Sequence, residues 1–228
     1  MNILYRDEQI IIVNKPAGLS VLPEGWEPDA PYLVKILEED PSTGSHRPDE
    51  ISGGRKVWVI HRIDKITSGI VIFALTAEAH RSLNIQFEKH LVDKKYHAIV
   101  NGLPKWDEKV TRFPLRVNVG HKHRTMVDNK SGVKSETHFK VLQRGKNLSL
   151  LEAIPMTGRT HQIRVHAYAL GFPLLGDTLY SAPETDLIQR PALHAQFLAF
   201  NHPVSNERVS FSAPYPADFK NVSKQVNK

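Results

Sequence analysis

Short runs of apolar, mostly β-branched residues recur along the 228-residue chain and end at turn-forming residues. The run IIIV fills residues 10–13 and is followed by Pro16 and Gly18, while VWVI fills 57–60 and GIVIFAL fills 69–75. β-branched residues favour strands, and proline and glycine interrupt strand pairing. Apolar runs this short predict a sheet of several short strands.

Two later stretches carry a clearer strand signal. In KKYHAIV, residues 94–100, Tyr96, Ala98 and Val100 fall on one face of a strand and the intervening residues on the other. The segments ETHFKVLQRG and NLSLLEAI meet around Gly145, and the pattern of two strand-like segments around a turn predicts a hairpin. Short strands that are hairpin-linked in places favour a mixed sheet over a regular βαβ repeat.

Three segments have helical character. Residues 31–40 suit a short helix, Thr76 can cap a helix that continues through AEAHRSLNIQFEKH, and Thr160 can cap a helix that ends near Leu170 with Gly171 as its stop. Strands outnumber helices. We therefore predict an α+β fold with a mixed, mainly antiparallel sheet flanked by helices and loops.

The composition limits the classes of protein that the chain can belong to. Lys and Arg number 30 against 24 Asp and Glu, which gives a net charge of +6 and favours a polyanionic partner. The absence of cysteine excludes disulfides, thiolate catalysis and the usual structural zinc sites. No secretory signal and no apolar run of about 20 residues is visible. We expect one cytoplasmic domain over residues 1–228, with no membrane association.

Two segments stand out by composition. Residues 41–55 are turn-formers and charges, which predicts an exposed loop. Residues 105–134 form a basic segment, which we expect to act as an arm over a phosphate backbone, although a solvated basic loop is the simpler alternative. The Lys and Arg of this segment are at positions 105, 109, 112, 116, 122, 124, 130 and 134.

Two stretches have the composition of a reactive site. HRIDKITSG, residues 61–69, places a single acid, Asp64, between basic residues and directly after an apolar run. TGRTHQIRVH, residues 157–166, places His161, Arg164 and Tyr168 near one face of the predicted helix. A helix N-terminus in this stretch favours an anion nearby. The alternative is a surface helix with solvated charges.

Together these stretches identify a known family. HRIDKITSG, TGRTHQIRVH, NKPAG at 14–18, KKYHAIV and LLGD at 174–177 resemble, in order and spacing, motifs of the RluA family of RNA pseudouridine synthases. The resemblance runs from about residue 3 to residue 219 and is greatest to the member that gives the family its name. It implies a pseudouridine synthase fold around a central catalytic cleft, without a metal or redox cofactor. We expect a monomer without the S4 RNA-binding domain that several members carry.

The resemblance also assigns roles to residues. It implies isomerisation of a uridine in a ribosomal RNA or tRNA stem-loop, with Asp64, Tyr96 and Arg164 as catalytic residues. Glycoside hydrolysis uses two carboxylates because an alkoxide leaves and a water attacks. Here a delocalised uracil anion leaves and no water is needed, so one carboxylate suffices. Whether Asp64 is the nucleophile at C1′ or a base on the sugar stays open. The resemblance makes Arg164 the cation that keeps Asp64 ionised, and Tyr96 the residue that stacks on uracil.

Further residues are predicted to bind the RNA. A target base must leave its stack to be modified, and the resemblance places Arg62 where it can fill the gap. By the same resemblance, Leu193 is an apolar residue near the base. Lys15, Arg159 and Gln162 are candidates for contacts with phosphates or bases.

Other classes of protein fit less well. A non-catalytic RNA-binding module on the same scaffold would need only the basic surface, whereas this chain has all three candidate catalytic residues. An aspartic protease needs a second, coupled carboxylate motif. A metal hydrolase is disfavoured because His161 and His166 are five residues apart, without the glutamate of the HExxH pattern.

Overall fold

The computed structural model of the protein describes residues 1–25, 27, 29–40, 56–120 and 124–226. The predicted loop at 41–55 therefore lies outside the described residues.

The helices are α1 Leu33–Glu39, α2 Ala77–Glu88, α3 Gln162–Ala169 and α4 Ala217–Val226, with a 3-10 turn at Thr178–Tyr180. The strands are β1 Asn2–Arg6, β2 Ile10–Lys15, β3 Trp58–Val59, β4 Ser68–Ala74, β5 Asp93–Asn101, β6 Glu108–Thr111, β7 Leu115–Val119, β8 Arg124–Val127, β9 Thr137–Arg144, β10 Leu148–Pro155, β11 Leu193–Asn201 and β12 Arg208–Ser212. None of the described helices is long and apolar enough to cross a membrane.

The chain forms two compact units. The first comprises Met1–Asp93 and Phe197–Pro214, and the second comprises Lys94–Gln196 and Tyr215–Lys228. The predicted α+β fold with a large, mainly antiparallel sheet is confirmed.

The first unit is built on buried apolar strands. Its strands are hydrogen-bonded in the order β1-β2-β4-β11, with β3 paired to β4 and β12 paired to β11. All of β4 is buried, as the unbroken apolar run GIVIFA predicts for a strand covered on both faces. Residues of β2 and β4 pack with Leu83 of α2 and Phe200 of β11 in one core cluster. The strand predicted from VWVI is reduced to the two residues of β3.

Helix α2 begins as predicted and ends at Glu88, two residues before the predicted end at His90. The Thr76 side chain accepts a hydrogen bond from the Ala79 N–H at 3.2 Å, the expected N-cap. Leu83 is fully buried, but Leu91 lies beyond the helix and is 52% exposed. The positive φ of His90, 56°, turns the chain away from the helix before Leu91 is reached.

The main sheet of the second unit contains the strand order β5-β10-β9-β6. The predicted hairpin is present: β9 and β10 pair antiparallel, and the Gly145 N–H donates to the Leu148 carbonyl at 2.8 Å. The alternation in β5 is also confirmed, because Ala98 and Val100 belong to one core cluster and Ile99 to another.

Helix α3 begins later than predicted. Its N-cap is His161 in the left-handed region with φ 55°, so the prediction of Thr160 as the cap is wrong. The 159–162 turn is closed by a hydrogen bond from the Gln162 N–H to the Arg159 carbonyl at 3.0 Å, which takes Thr160 out of the cap position. The C-terminal end follows the prediction, with Gly171 at φ 85° just past the last turn.

Candidate active site

In the first unit, Asp64 lies in the short loop between β3 and β4. Its carbonyl accepts a hydrogen bond from the Thr67 N–H at 3.0 Å, which closes a tight turn around the acid. Ile63 is buried, Asp64 is half-buried and Arg62 is exposed. The loop is therefore anchored by an apolar residue, and the Arg62 side chain is exposed to solvent.

The His61 ring fixes the start of this loop. Its Nε2 accepts a hydrogen bond from the backbone N–H of Ile72 in β4 at 3.2 Å. The ring also stacks on Phe87 of α2, with centroids 4.9 Å apart and an interplanar angle of 22°. The imidazole thereby links the loop, three residues before Asp64, to both a core strand and a helix.

Lys15, from the NKPAG stretch, fixes the same loop on the other side of Asp64. The side chain is fully buried, and its ammonium donates to the carbonyls of Pro16, Leu19 and Lys65 at 2.9, 2.7 and 3.0 Å. An ammonium has three N–H donors, enough to serve all three of these carbonyls. The predicted contact of Lys15 with RNA stays a prediction; in the structure its charge serves the backbone beside Asp64.

Lys65, the residue after Asp64, is bound through both its backbone carbonyl and its side chain. The Gly18 N–H donates to the Lys65 carbonyl at 2.8 Å. The Lys65 ammonium binds the carboxylates of Glu24 and Glu27 at 2.7 and 2.6 Å, and these contacts raise the pKa of Lys65. Backbone and side chain together fasten the 15–27 stretch onto the loop that carries the acid.

In the second unit, Arg164 on α3 forms a buried ion pair that the sequence did not reveal. Its Nε and Nη2 donate to the two oxygens of Asp177 at 2.7 and 2.8 Å, and the side chains are 2% and 1% exposed. A two-point contact of this kind fixes the plane of the guanidinium. Asp177 is the last residue of LLGD, so the motif carried the signal, but its role as the partner of Arg164 was missed.

Gln162 and Arg159, both predicted to touch RNA, have different surroundings. The Gln162 side chain is 3% exposed. Its Oε1 accepts from the Thr157 hydroxyl and the Arg159 N–H at 2.7 and 3.1 Å, and its Nε2 donates to the Glu136 carbonyl at 2.8 Å. Gln162 thus shapes the loop before α3, whereas the Arg159 side chain is exposed.

Tyr96 and Leu193 border one apolar cluster. Tyr96 on β5 lies opposite Ala153 and packs, half-buried, against a core cluster that contains Leu193 and Ile163 of α3. Leu193 is 4% exposed. The structure therefore brings together the predicted residues of the second unit around α3 and β5, and those of the first unit around the Asp64 loop.

Comparisons with known proteins show the family to which the chain belongs. The family model for RNA pseudouridylate synthase matches residues 9–169. An uncharacterised RNA pseudouridine synthase of Synechocystis is 38% identical over 97% of this chain and 68% of its own length. Ribosomal large subunit pseudouridine synthase D of Zymomonas mobilis is 35% identical over 99% of this chain and 73% of its own length.

Solved structures give the same answer. Human RNA pseudouridylate synthase domain containing 1 is 27% identical, with a TM-score of 0.74 over 94% of this chain and 83% of that protein. Human RNA pseudouridylate synthase domain containing 4, at 24% identity and a TM-score of 0.76 over 99% of this chain and 93% of that protein, shares the fold. The chain therefore belongs to the RNA pseudouridine synthase family and is an isomerase that acts on RNA.

Proposed function

We propose that this enzyme converts uridine to pseudouridine in ribosomal RNA, with Asp64 as the residue that meets the sugar. The observation that carries the proposal is the half-buried Asp64 in a loop fastened by His61, Lys15 and Lys65. Relatives named ribosomal large subunit pseudouridine synthase D favour ribosomal RNA over tRNA as the substrate. We further propose that the enzyme works in the cytoplasm as a monomer, which size-exclusion chromatography with light scattering would test.

The reaction needs no water and no second carboxylate. The N1–C1′ bond of the uridine breaks, the uracil turns in place, C5 bonds to C1′, C5 loses its proton and N1 gains one. An ionised Asp64 serves either by attacking C1′, from which C5 then displaces it, or by taking a proton from the sugar and returning it when C5 bonds to C1′; both give the same product. A rigid loop matters in either case, because small displacements of a reacting group cost large factors in rate.

We propose that Arg164 keeps Asp64 ionised in the bound complex. Burial alone favours the protonated form of a carboxyl group, and a nearby guanidinium opposes this. The support is that Arg164 is buried and held in one plane by Asp177. The guanidinium charge is then shared with a second carboxylate, so Asp177 acts on the reaction by fixing where the charge of Arg164 lies.

We propose that Tyr96 stacks on the uracil and that its hydroxyl takes or relays the C5 proton. Its support is the half-buried position of Tyr96 at the border of the apolar cluster that contains Leu193. Stacking of a base on an aromatic ring is worth roughly 1–3 kcal/mol. Tyr96→Phe should keep RNA affinity while slowing proton release; a loss of affinity with normal chemistry would contradict this role.

The basic segment is the proposed contact with the phosphate backbone. Seven of its eight Lys and Arg lie among the described residues and are exposed; Lys122 lies outside them. Arg112 and Arg116 bind Glu136 and Asp128 at 2.7 and 3.1 Å, which orients them on the surface. Contacts with phosphates release counterions, so RNA affinity should fall steeply as salt rises. Arg62 is proposed to occupy the space left by the flipped base.

The substrate is tested with RNA carrying tritium at uridine C5. Purified enzyme should release label to water from large-subunit ribosomal RNA, and release from tRNA should be absent or much slower. Release from tRNA alone would overturn the ribosomal assignment. RNA binding without release from either substrate would favour the non-catalytic RNA-binding module.

A further inference from the structure

Tyr180, at the end of the LLGDTLY stretch, contacts three separate parts of the second unit. The side chain is 3% exposed and belongs to a core cluster with Leu115 of β7 and Val165 of α3. Strands β7 and β8 form a separate two-stranded sheet within the basic segment. Tyr180 therefore lies where the basic hairpin packs on the helix that carries Arg164.

The Tyr180 hydroxyl is bound to the hairpin backbone and to the cap of α3. It accepts from the Thr125 N–H at 3.0 Å and donates to the Thr125 carbonyl at 3.1 Å. The His161 Nδ1 lies 2.9 Å from the same hydroxyl. A hydroxyl has one hydrogen and two acceptor sites, so Nδ1–H of His161 is the donor when the Tyr180 hydrogen points to Thr125.

The contact with His161 stabilises a conformation that a histidine rarely adopts. His161 has φ 55°, in the left-handed region, directly before the first turn of α3. The hydroxyl of Tyr180 holds its ring in this position. The start of α3, whose first turn carries Arg164, is thereby linked to the backbone of β8.

The Tyr180 ring contacts the catalytic arginine proposed above. The Arg164 guanidinium lies over the ring with 5.0 Å between Cζ and the centroid, a cation–π contact. The Asp177 carboxylate binds the edge of the same guanidinium. The backbone carbonyl of Asp177 accepts a hydrogen bond from the Tyr180 N–H at 3.0 Å. Arg164 is thus confined by an edge contact and a face contact that come from one short turn.

We propose that Tyr180 is a positioning residue that couples the basic β7–β8 hairpin to Arg164. Its hydroxyl sets the position of the hairpin, its ring sets the face of the guanidinium, and RNA held by the hairpin is thereby aligned with the reacting groups. The proposal rests on the proposed function, in which the hairpin binds phosphates and Arg164 serves the chemistry.

Two substitutions distinguish the role of the Tyr180 hydroxyl from that of its ring. Tyr180→Phe deletes the three hydroxyl contacts and keeps the ring on Arg164, so the Kd for RNA should rise about tenfold while the single-turnover rate at saturating enzyme stays within about twofold. Tyr180→Leu also removes the ring, and the saturated rate should fall by at least about tenfold. A purely structural role would not separate affinity from rate in this way.

Controls keep the test decisive. Tyr5→Phe removes an exposed hydroxyl that bonds to Asp7 at 2.9 Å, and it should change neither quantity. Thermal unfolding is measured for each variant. If Tyr180→Leu fails to fold, Tyr180→Phe alone decides: a Kd within twofold of wild type, or a saturated rate as low as expected for the leucine variant, overturns the proposal.

A double-mutant cycle tests the coupling itself. Arg124 is exposed and adjoins Thr125 on β8. Arg124→Ala should weaken RNA binding in the wild type and have a clearly smaller effect in Tyr180→Phe, because the hairpin is then already displaced. Additive effects would overturn the coupling. The cycle is read in RNA binding, so it remains informative if tritium release fails and the proposed reaction is wrong.

Discussion

The loop that carries Asp64 and the side chain of Arg164 on α3 are held in opposite ways. The loop is fastened largely through its backbone: Lys15 and Gly18 donate to the Lys65 carbonyl, and the side-chain contacts of Lys65 are partly exposed. Arg164 is fastened by its own side chain, through a carboxylate pair that is 1–2% exposed. The acid is thus positioned by contacts to neighbouring peptide groups, and the arginine by a charge buried beside it.

The two kinds of contact are disrupted by different changes. A buried ion pair tolerates salt but not the loss of one partner, because the remaining charge is left uncompensated. Partly exposed ion pairs contribute little and are screened by salt. We therefore expect substitutions around Arg164 to have the largest effects on stability, and those around the Lys65 side chain the smallest.

The largest effect is expected from Asp177→Asn. The change keeps the shape of the side chain but leaves the Arg164 charge buried without its carboxylate, which should cost about 3–5 kcal/mol of unfolding free energy, with a large loss of activity. Urea denaturation measures it. Asp218→Asn is the matched control, because its pair with Arg190 is more exposed, with the carboxylate 41% exposed. Equal losses for both would break the contrast between buried and exposed pairs.

Lys15→Met is expected to come next. Methionine fills much of the same volume but cannot donate, so three partly buried carbonyls lose their donor, at a cost of about 2–4 kcal/mol. The saturated rate should also fall, because one of these carbonyls belongs to the residue after Asp64. Lys35→Met, on an exposed lysine of α1, removes the same charge and should change little. A stable Lys15→Met enzyme with reduced RNA affinity alone would instead support the predicted RNA contact.

Acid should weaken the second unit through its buried histidines. His166 is fully buried between the Thr137 hydroxyl and the Phe113 carbonyl, and burial lowers its pKa. The unfolded chain then binds more protons, so stability is lost as pH falls below about 6.5, by up to about 1.4 kcal/mol per pH unit. Burial lowers the pKa of His97 in the same direction. His166→Gln should reduce the slope between pH 7 and 5; an unchanged slope would contradict this assignment.

The smallest effect is expected from Lys65→Met. Its ammonium is partly exposed and paired with Glu24 and Glu27, so the variant should lower Tm slightly and only at low salt. At about 1 M salt the wild type and the variant should become indistinguishable. Lys65→Arg should behave as wild type throughout. A drop in Tm that persists at high salt would contradict this prediction, because it would show that the Lys65 ion pairs resist screening as the buried Arg164–Asp177 pair does.

The strand pattern of the sequence predicted much of the fold. Runs such as GIVIFAL, and the alternation around Tyr96, are local signals of burial, and local burial is what these strands show. Helix ends were predicted less well. Thr160 had the chemistry of a cap, but the backbone of His161 takes a left-handed conformation supported by Tyr180, a contact 19 residues away.

The candidate site was predicted as residues rather than as contacts. Motifs named Asp64, Tyr96 and Arg164, but no periodicity pairs Arg164 with Asp177 across the turn that follows α3. Lys15 shows the same limit: its charge suggested a surface contact, yet its ammonium is buried against carbonyls that are brought near only by the folded loop. Long-range pairing of polar groups is decided by the tertiary structure.

The most direct test of the account is tritium release from C5-labelled ribosomal RNA by wild type and Asp64→Asn, with RNA affinity and unfolding measured on the same samples. Asp64→Asn removes only the negative charge of a half-buried side chain. We expect a folded variant that binds RNA as wild type does and releases no label. Label release by Asp64→Asn at a rate near that of wild type would contradict the claim that this carboxylate performs the reaction.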